Sequence, residues 1–122
     1  MLKKVLIADD SPEVLKLVQS RLRKEGYQVL SADDGLKALD MALKHLPNVI
    51  VLDIMMPHMD GTEVSRNLKL NPSTRAIPLI YLTALKGNED RPFDIPDGPD
   101  IIMGKPFNAK ELIDKINQLT AG

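Results

Sequence analysis

The chain has 122 residues, of which 43% are hydrophobic, with 16 Lys and Arg against 17 Asp and Glu. This length and charge balance favour one globular domain over residues 1–122 and argue against wholesale binding to nucleic acid. The chain has no cysteine, which excludes disulfides and thiolate zinc sites, and no apolar stretch is long enough to cross a bilayer. The first residues do not resemble a secretory signal, so we expect a cytoplasmic location.

The first half of the chain alternates between short apolar runs and helical patterns. Val5–Ala8 is a continuous apolar run, which is typical of a parallel strand buried on both faces. Ser11 is a natural N-cap for the helix that follows, and Gly26 ends that helix before a more mixed strand over 27–32. The apolar face of this helix consists of Val14, Val18 and Leu22. The apolar face of the next helix consists of Leu36, Leu39, Leu43 and Leu46.

The second half continues this alternation with one interruption. Its apolar runs are Val49–Leu52, Leu79–Leu82 and Ile101–Met103. A short helix carrying Val64 and Leu68 separates the first two runs, and Asn108 begins the last helix. Prolines and glycines recur through residues 86–100, so we predict a loop where a fourth helix would otherwise lie. Alternating strands and helices predict an α/β fold with a doubly wound parallel sheet.

Polar residues stand where the predicted strands end. Asp9 and Asp10 follow the first strand, Asp53 ends the third, Thr83 ends the fourth, and Lys105 follows the fifth. Because the carboxyl ends of parallel strands meet at one edge of a sheet, we expect these side chains to be neighbours. A solvated strand end or a helix cap would explain either of the paired aspartates alone, but it explains the whole set poorly.

Three carboxylates at one edge repel one another unless they take up a proton or a divalent cation. The predicted donors are oxygens only, with no His or Cys among them, and such donors indicate Mg²⁺. A carboxylate is also a competent nucleophile toward phosphorus and forms an aspartyl phosphate, with Asp53 as the central candidate. Lys105 and the metal would then neutralise charge on the transferring group.

Four short motifs occur together in this chain. They are Asp9-Asp10, Leu52-Asp53-Ile-Met-Met-Pro57 followed by Asp60-Gly61, Thr83-Ala84, and Lys105-Pro106-Phe107. In this combination the chain resembles the receiver domains of two-component response regulators over essentially its whole length. The resemblance implies a five-stranded sheet of flavodoxin-like strand order 2-1-3-4-5.

The resemblance also implies roles for individual residues. Asp53 would accept a phosphoryl group from a sensor histidine kinase or a phosphotransfer protein, with Thr83 as the switch hydroxyl and Lys105 as the invariant lysine. The Lys105–Pro106 peptide bond is expected to be cis. The implied ligands of the Mg²⁺ cofactor are Asp10, Asp53 and the backbone carbonyl of Met55, with Asp9 acting through water.

The chain departs from the family pattern at two places. Ile102 occupies the switch position where receivers usually have Tyr or Phe, so the aromatic part of the usual coupling is missing. The predicted loop over 86–100 replaces a helix that many receivers use to dimerise or to contact an output partner. Part of the sheet would then be uncovered, and either Phe93 and Ile95 would fold over it or a second subunit, forming a homodimer, would cover it.

We therefore expect a phosphoacceptor signalling protein, not an enzyme in its own right, that supports its own phosphoryl transfer and slow dephosphorylation. It would signal to a downstream protein through a changed surface or by phosphorelay, without direct nucleic-acid or membrane contact. The main alternative is a receiver-fold scaffold that binds a partner constitutively without phosphorylation. A flavodoxin-like FMN module lacks its phosphate loop here, and a metal-dependent phosphatase lacks a second acid two residues after Asp53.

Overall fold

The structure, a computed structural model, describes residues 2–83 and 100–121. Over these residues one parallel sheet has the strand order β2-β1-β3-β4-β5, which confirms the doubly wound fold. The elements in chain order are β1 (Lys4–Ala8), α1 (Pro12–Lys24), β2 (Gln28–Ala32), α2 (Gly35–His45), β3 (Val49–Asp53), α3 (Gly61–Leu70), β4 (Leu79–Thr83), β5 (Ile101–Gly104) and α4 (Ala109–Thr120). The loop predicted over 86–100 lies outside the described residues, apart from Asp100.

The sheet has a hydrophobic cluster on each face, because alternate side chains of a strand point to opposite sides. Leu6 of β1 belongs to the cluster that residues of α2 and α3 cover, and Val5 belongs to the cluster that residues of α1 and α4 cover. Every residue of β3 and β4 is buried. This burial explains why the strands read as continuous apolar runs and why their polar residues stand at the strand ends.

Side-chain caps fix the helix starts that the sequence predicts. The Ser11 hydroxyl accepts a hydrogen bond from the Val14 N–H at 3.3 Å, with Pro12 at the first helical position. Asn108 accepts from the N–H groups of the second and third residues of α4 in the same way. Gly26 follows α1 with φ +92°, a conformation that glycine adopts without strain. No helix in the described part of the chain has the length and apolarity to cross a membrane.

The apolar stripe of α2 is not the face that packs against the sheet. Its buried residues are Gly35, Ala38 and Ala42, with Leu39 and Met41 partly buried. Leu36, Leu43 and Leu46 are exposed instead. Small residues on the inner side let the helix axis approach the sheet closely, and the leucines then fall on one flank of the helix. Leucine periodicity alone therefore misplaces the inner face of this helix.

A buried ion pair joins α3 to the amino edge of the sheet. Asp100, immediately before β5, accepts a hydrogen bond from the Leu79 N–H at 2.9 Å and lies 2.9 Å from the ammonium group of Lys69. The Asp100 side chain is 1% exposed, whereas that of Lys69 is 27% exposed. One carboxylate thus ties the starts of β4 and β5 to the last turn of α3.

Replacing this carboxylate is expected to destabilise the fold. Asp100→Ala leaves the Leu79 N–H without its acceptor and Lys69 without its partner, so the free energy of unfolding should fall by about 3 kcal/mol. Asp100→Asn, which keeps an acceptor oxygen, should lose less. Urea denaturation measures both, with Asp33→Ala, which breaks the exposed Lys37–Asp33 pair, as the matched control. Equal losses for Asp100→Ala and the control would contradict this account.

Candidate functional site

The carboxyl edge of the sheet carries the polar residues that the strand ends predict. Asp53 is the last residue of β3 and Thr83 is the last residue of β4, and Asp9 directly follows β1. Lys105 follows β5, and its N–H donates to the carbonyl oxygen of Thr83 at 2.6 Å. Because β1, β3, β4 and β5 are successive neighbours in the sheet, these residues converge on one edge although they are distant in sequence.

The Lys105 ammonium group bridges two carboxylates. Its Nζ atom lies 2.9 Å from Oδ2 of Asp9 and 3.2 Å from Oδ2 of Asp53. The Lys105–Pro106 peptide bond is cis, which is the geometry that the family resemblance implies. One cation thus compensates part of the charge of two buried acids.

The acids of this edge differ in exposure and in hydrogen bonding. Asp9 is fully buried and Asp53 is 3% exposed, whereas Asp10 is exposed. The Ser11 N–H donates to Oδ1 of Asp9 at 2.9 Å, and the Met55 N–H donates to Oδ1 of Asp53 at 3.1 Å. Asp53 therefore keeps a fixed orientation, with its two oxygens engaged by different donors.

Burial and mutual repulsion tune the protonation of the cluster. Burial, together with the negative charge of Asp9, raises the pKa of Asp53 from its ordinary 3.8 to about 6, although Lys105 opposes the rise. Burial by itself would lower the pKa of Lys105, but its hydrogen bond to Asp9 and the charges of Asp53 and Asp9 raise that pKa above its ordinary value. Negative charge is therefore in excess at this edge, and the site favours a further cation.

The donor set fits a divalent cation of the Mg²⁺ type. One carboxylate oxygen from each of Asp9, Asp10 and Asp53 lies within 4.8 Å of the other two. All three donors are oxygens, which Mg²⁺ prefers, and Asp10 opens the group to solvent and hence to the water ligands that Mg²⁺ keeps. The three aspartates selected from the sequence are thus brought together as a group.

The two positions that the family resemblance assigns to the switch lie on the neighbouring strands β4 and β5. Thr83 is 4% exposed and pairs with Gly104 in the β4–β5 register. Ile102 pairs with Tyr81 in the same register and packs against the cluster that contains this fully buried ring. The described residues thus place an aromatic ring one strand away from the position where receivers usually have one.

Gly61 packs directly against the backbone of the candidate phosphoacceptor. It is the first residue of α3, and its N–H donates to the carbonyl oxygen of Ile54 at 2.9 Å. A Cβ atom added to Gly61 would lie 2.5 Å from the carbonyl oxygen of Asp53. Only glycine permits this approach, so the position contributes to the orientation of Asp53.

Gly35 is a residue of this region that the sequence did not identify. A Cβ atom at Gly35 would lie 1.7 Å from the carbonyl oxygen of Met59, so the start of α2 touches the backbone of the β3–α3 loop. Within that loop His58 has φ +69°, and the Met59 N–H donates to the carbonyl oxygen of Pro57 at 2.8 Å. The contact joins backbone groups far apart in sequence, and no local signal marks it.

The raised pKa of Asp53 predicts a pH-dependent effect of neutralising it. A folded-state pKa above the unfolded value means that stability falls as pH rises from about 4 to about 6, because the folded state then loses a proton that it binds more tightly. Asp53→Asn resembles the protonated form and keeps an oxygen for the Met55 N–H. We expect it to exceed the wild type in free energy of unfolding by about 1 to 2 kcal/mol at about pH 8.

Urea denaturation with a chelator present, at about pH 8 and about pH 4, measures this difference. The advantage of Asp53→Asn should shrink toward zero at the lower pH, because the folded wild type then keeps the proton on Asp53 and the unfolded chain, with the ordinary pKa of 3.8, is partly protonated as well. An advantage that does not depend on pH would contradict the assigned cause.

The sequence matches a known family along most of its length. The family model described as the response regulator receiver domain matches residues 5–117. The response regulator PleD of Caulobacter vibrioides is 40% identical over 120 residues, which are 98% of this chain and 26% of PleD. The DNA-binding dual master transcriptional regulator RpaA of a Synechocystis species is 35% identical over 116 residues, 95% of this chain and 48% of RpaA. The chain thus spans about a quarter and about half of these curated relatives.

Solved structures give the same result for the fold. The chemotaxis response regulator CheY4 of Vibrio cholerae is 30% identical and superimposes with a TM-score of 0.88, covering 98% of this chain and 99% of that one. The receiver domain of a sensor histidine kinase from Pseudomonas aeruginosa, solved with a magnesium ion coordinated in its active site cleft, is 26% identical with a TM-score of 0.88 over the whole of both chains.

Proposed function

The chain belongs to the response regulator receiver domain family, and on that premise we propose that Asp53 accepts a phosphoryl group from a phosphohistidine of a sensor kinase or phosphotransfer protein. The observation that carries this proposal is the pairing of the Asp53 carboxylate with the Lys105 ammonium at 3.2 Å, beside two further acids. Receiver domains are regulatory domains rather than classical enzymes. In this proposal Asp53 is itself the acceptor of the phosphoryl group and also part of the site that transfers it.

The proposed transfer is a substitution at phosphorus. An oxygen of Asp53 forms a bond to the phosphorus atom while the bond from phosphorus to the imidazole nitrogen of the donor breaks, and that nitrogen keeps the electron pair. The Met55 N–H holds the other carboxylate oxygen, which leaves Oδ2 to react. Lys105, adjacent to Oδ2, then pairs with the negative phosphoryl oxygens in place of the carboxylate.

The same edge is proposed to hold Mg²⁺. The proposed ligands are Asp10, Asp53 and the carbonyl of Met55, with Asp9 contributing through water, and the oxygen-only donor set supports this choice. When bound, the ion would neutralise negative charge on the transferring group. Asp9, fully buried and bonded to Lys105, keeps the lysine aimed at the acceptor.

Thr83 is the proposed switch residue for the output. It ends β4 next to the site, and its hydroxyl would move toward the phosphoryl group, so that the protein presents a changed surface to a downstream protein or passes the group on by phosphorelay. We further propose that residues 1–122 act as a single receiver domain in the cytoplasm, with Mg²⁺ as cofactor and a homodimer as one possible assembly. The PleD and RpaA matches support signalling of this class.

The alternative function is a receiver-fold scaffold that binds its partner without phosphorylation. Ile102 at the switch position favours it, because an aliphatic side chain lacks the hydroxyl and ring edge of the usual aromatic. The set of Asp53, Thr83 and Lys105 argues against it, since a constitutive scaffold has no need of a buried acid with a raised pKa.

Phosphoryl uptake from a small acyl phosphate separates the two functions. With Mg²⁺, the intact mass of the wild type should rise by one phosphoryl group, and the rise should vanish when a chelator removes the metal. Asp53→Asn should show no rise at all, because an amide oxygen is a poor nucleophile toward phosphorus. Asp60→Asn, which alters the acidic cap of α3 rather than the strand-end cluster, is the matched control and should still take up the group.

Uptake by Asp53→Asn equal to that of the wild type would reject the assignment of the acceptor. A wild type that gains no mass while its folded state is verified by circular dichroism would favour the scaffold instead.

A further inference from the structure

We propose that the outer flank of α2 is a self-association surface, on which a second copy of this chain binds with its α2 antiparallel. The flank consists of Leu36, Leu39 and Leu43 of α2 and of Leu46, the C-cap residue that directly follows the helix. Leu36, Leu43 and Leu46 are 52%, 41% and 50% exposed, and Leu39 is partly buried. The proposal does not depend on phosphorylation and stands apart from the proposed function.

Helix formation does not account for these leucines. Gly35, Ala38 and Ala42 already supply the buried face of α2, with Leu39 packed beside them, so the three exposed leucines do not complete the core of a single chain. Lys, Glu or Gln would support the helix about as well at an exposed position and would leave less apolar surface in water. Leu39 packs against the core at the inner margin of the flank, whereas Leu36, Leu43 and Leu46 remain exposed, and such a run of exposed leucines indicates an interaction surface.

The spacing of the leucines fits another copy of the same helix. Separations of three, four and three residues reproduce the two apolar positions of a heptad, which place leucines along the seam between two helices. In an antiparallel pair Leu36 meets Leu46 of the second copy and Leu39 meets Leu43. Each contact then occurs twice about a two-fold axis, so one surface satisfies both partners.

The charges beside the leucines select the antiparallel orientation. Asp40 and Lys44 are both exposed next to the flank. In the register that pairs the leucines, Asp40 lies about 3 Å along the helix axis from Lys44 of the second copy, and the reciprocal pair forms as well. A parallel pair would instead place Asp40 and Lys44 of the two copies on opposite sides of the seam, so neither pair of opposite charges would form. The chain's formal net charge of -1 adds little long-range repulsion.

The size of the surface sets the strength of the association. A standard interface buries about 800 Å² on each partner, and a flank of partly exposed leucines supplies only a fraction of that area. The dimer should therefore be weak and dependent on concentration, with a dissociation constant of about 10⁻⁴ M.

Sedimentation equilibrium from about 10 µM to about 1 mM tests the surface, since this range brackets the expected dissociation constant. The average mass of the wild type should rise from 13.5 kDa toward twice that value. Leu43→Glu places a charge in the seam and should raise the dissociation constant at least about tenfold. The matched control is Leu70→Glu on α3, where the leucine is 79% exposed and outside the flank, and it should behave as the wild type.

A charge swap tests the orientation. Asp40→Lys brings two lysines together across the antiparallel seam and should raise the dissociation constant about threefold to tenfold. The double variant Asp40→Lys/Lys44→Asp restores opposite charges there and should return it to the wild-type value. A wild type that stays monomeric at about 1 mM, or a Leu43→Glu variant that dimerises as well as the wild type, would overturn the proposal. A double variant weaker than Asp40→Lys would overturn the antiparallel register.

Discussion

The Lys105 ammonium shared by Asp9 and Asp53 is the interaction around which the carboxyl edge of the sheet is organised. It lies within 3.2 Å of both acids, which are almost fully buried. Without a cation the two carboxylates, with Asp10 beside them, would repel one another in an environment of low dielectric constant. The strand order makes the arrangement possible. In the parallel sheet β1, β3, β4 and β5 are successive neighbours, so the ends that carry Asp9, Asp53 and Lys105 lie at the same edge.

Both edges of the sheet have buried aspartates paired with a lysine, but the balance of charge differs between them. At the amino edge, one buried acid, Asp100, is paired with one lysine and accepts one backbone N–H, so one positive charge faces one negative charge. At the carboxyl edge, three acids lie together with one lysine that contacts two of them, and burial and the charge of Asp9 raise the pKa of Asp53 to about 6. The balanced edge stabilises the sheet, whereas the unbalanced edge retains affinity for a further cation and for a reaction that changes its charge.

The sequence predicted the strands, the helix caps and the acidic corner because each of these leaves a local signal. A strand buried on both faces must be apolar throughout, and Asp53 is conspicuous because it ends such a run. The Ser11 and Asn108 caps are equally local, since each side chain bonds to N–H groups two or three residues ahead.

Other features depend on packing that no local pattern records. The leucines of α2 repeat with the same period as a core face, and only the close approach that Ala38 and Ala42 permit decides which side is buried. The contact of Gly35 with the Met59 carbonyl and the pairing of Asp100 with Lys69 likewise join segments distant in sequence. Charge matching at the carboxyl edge could be anticipated, but the extent of burial that raises the pKa of Asp53 could not.

The central claim is that Lys105 compensates the charge of the buried acids, and the pKa of Asp53 tests it most directly. Carboxyl ¹³C NMR, with a chelator present, would follow the titration of Asp53 in the wild type and in Lys105→Met, which keeps a similar apolar stem without the charge. The wild type should titrate near a pKa of about 6, and the variant should titrate at a higher pKa because the opposing charge is lost. An unchanged or lower pKa of Asp53 in Lys105→Met would contradict the account.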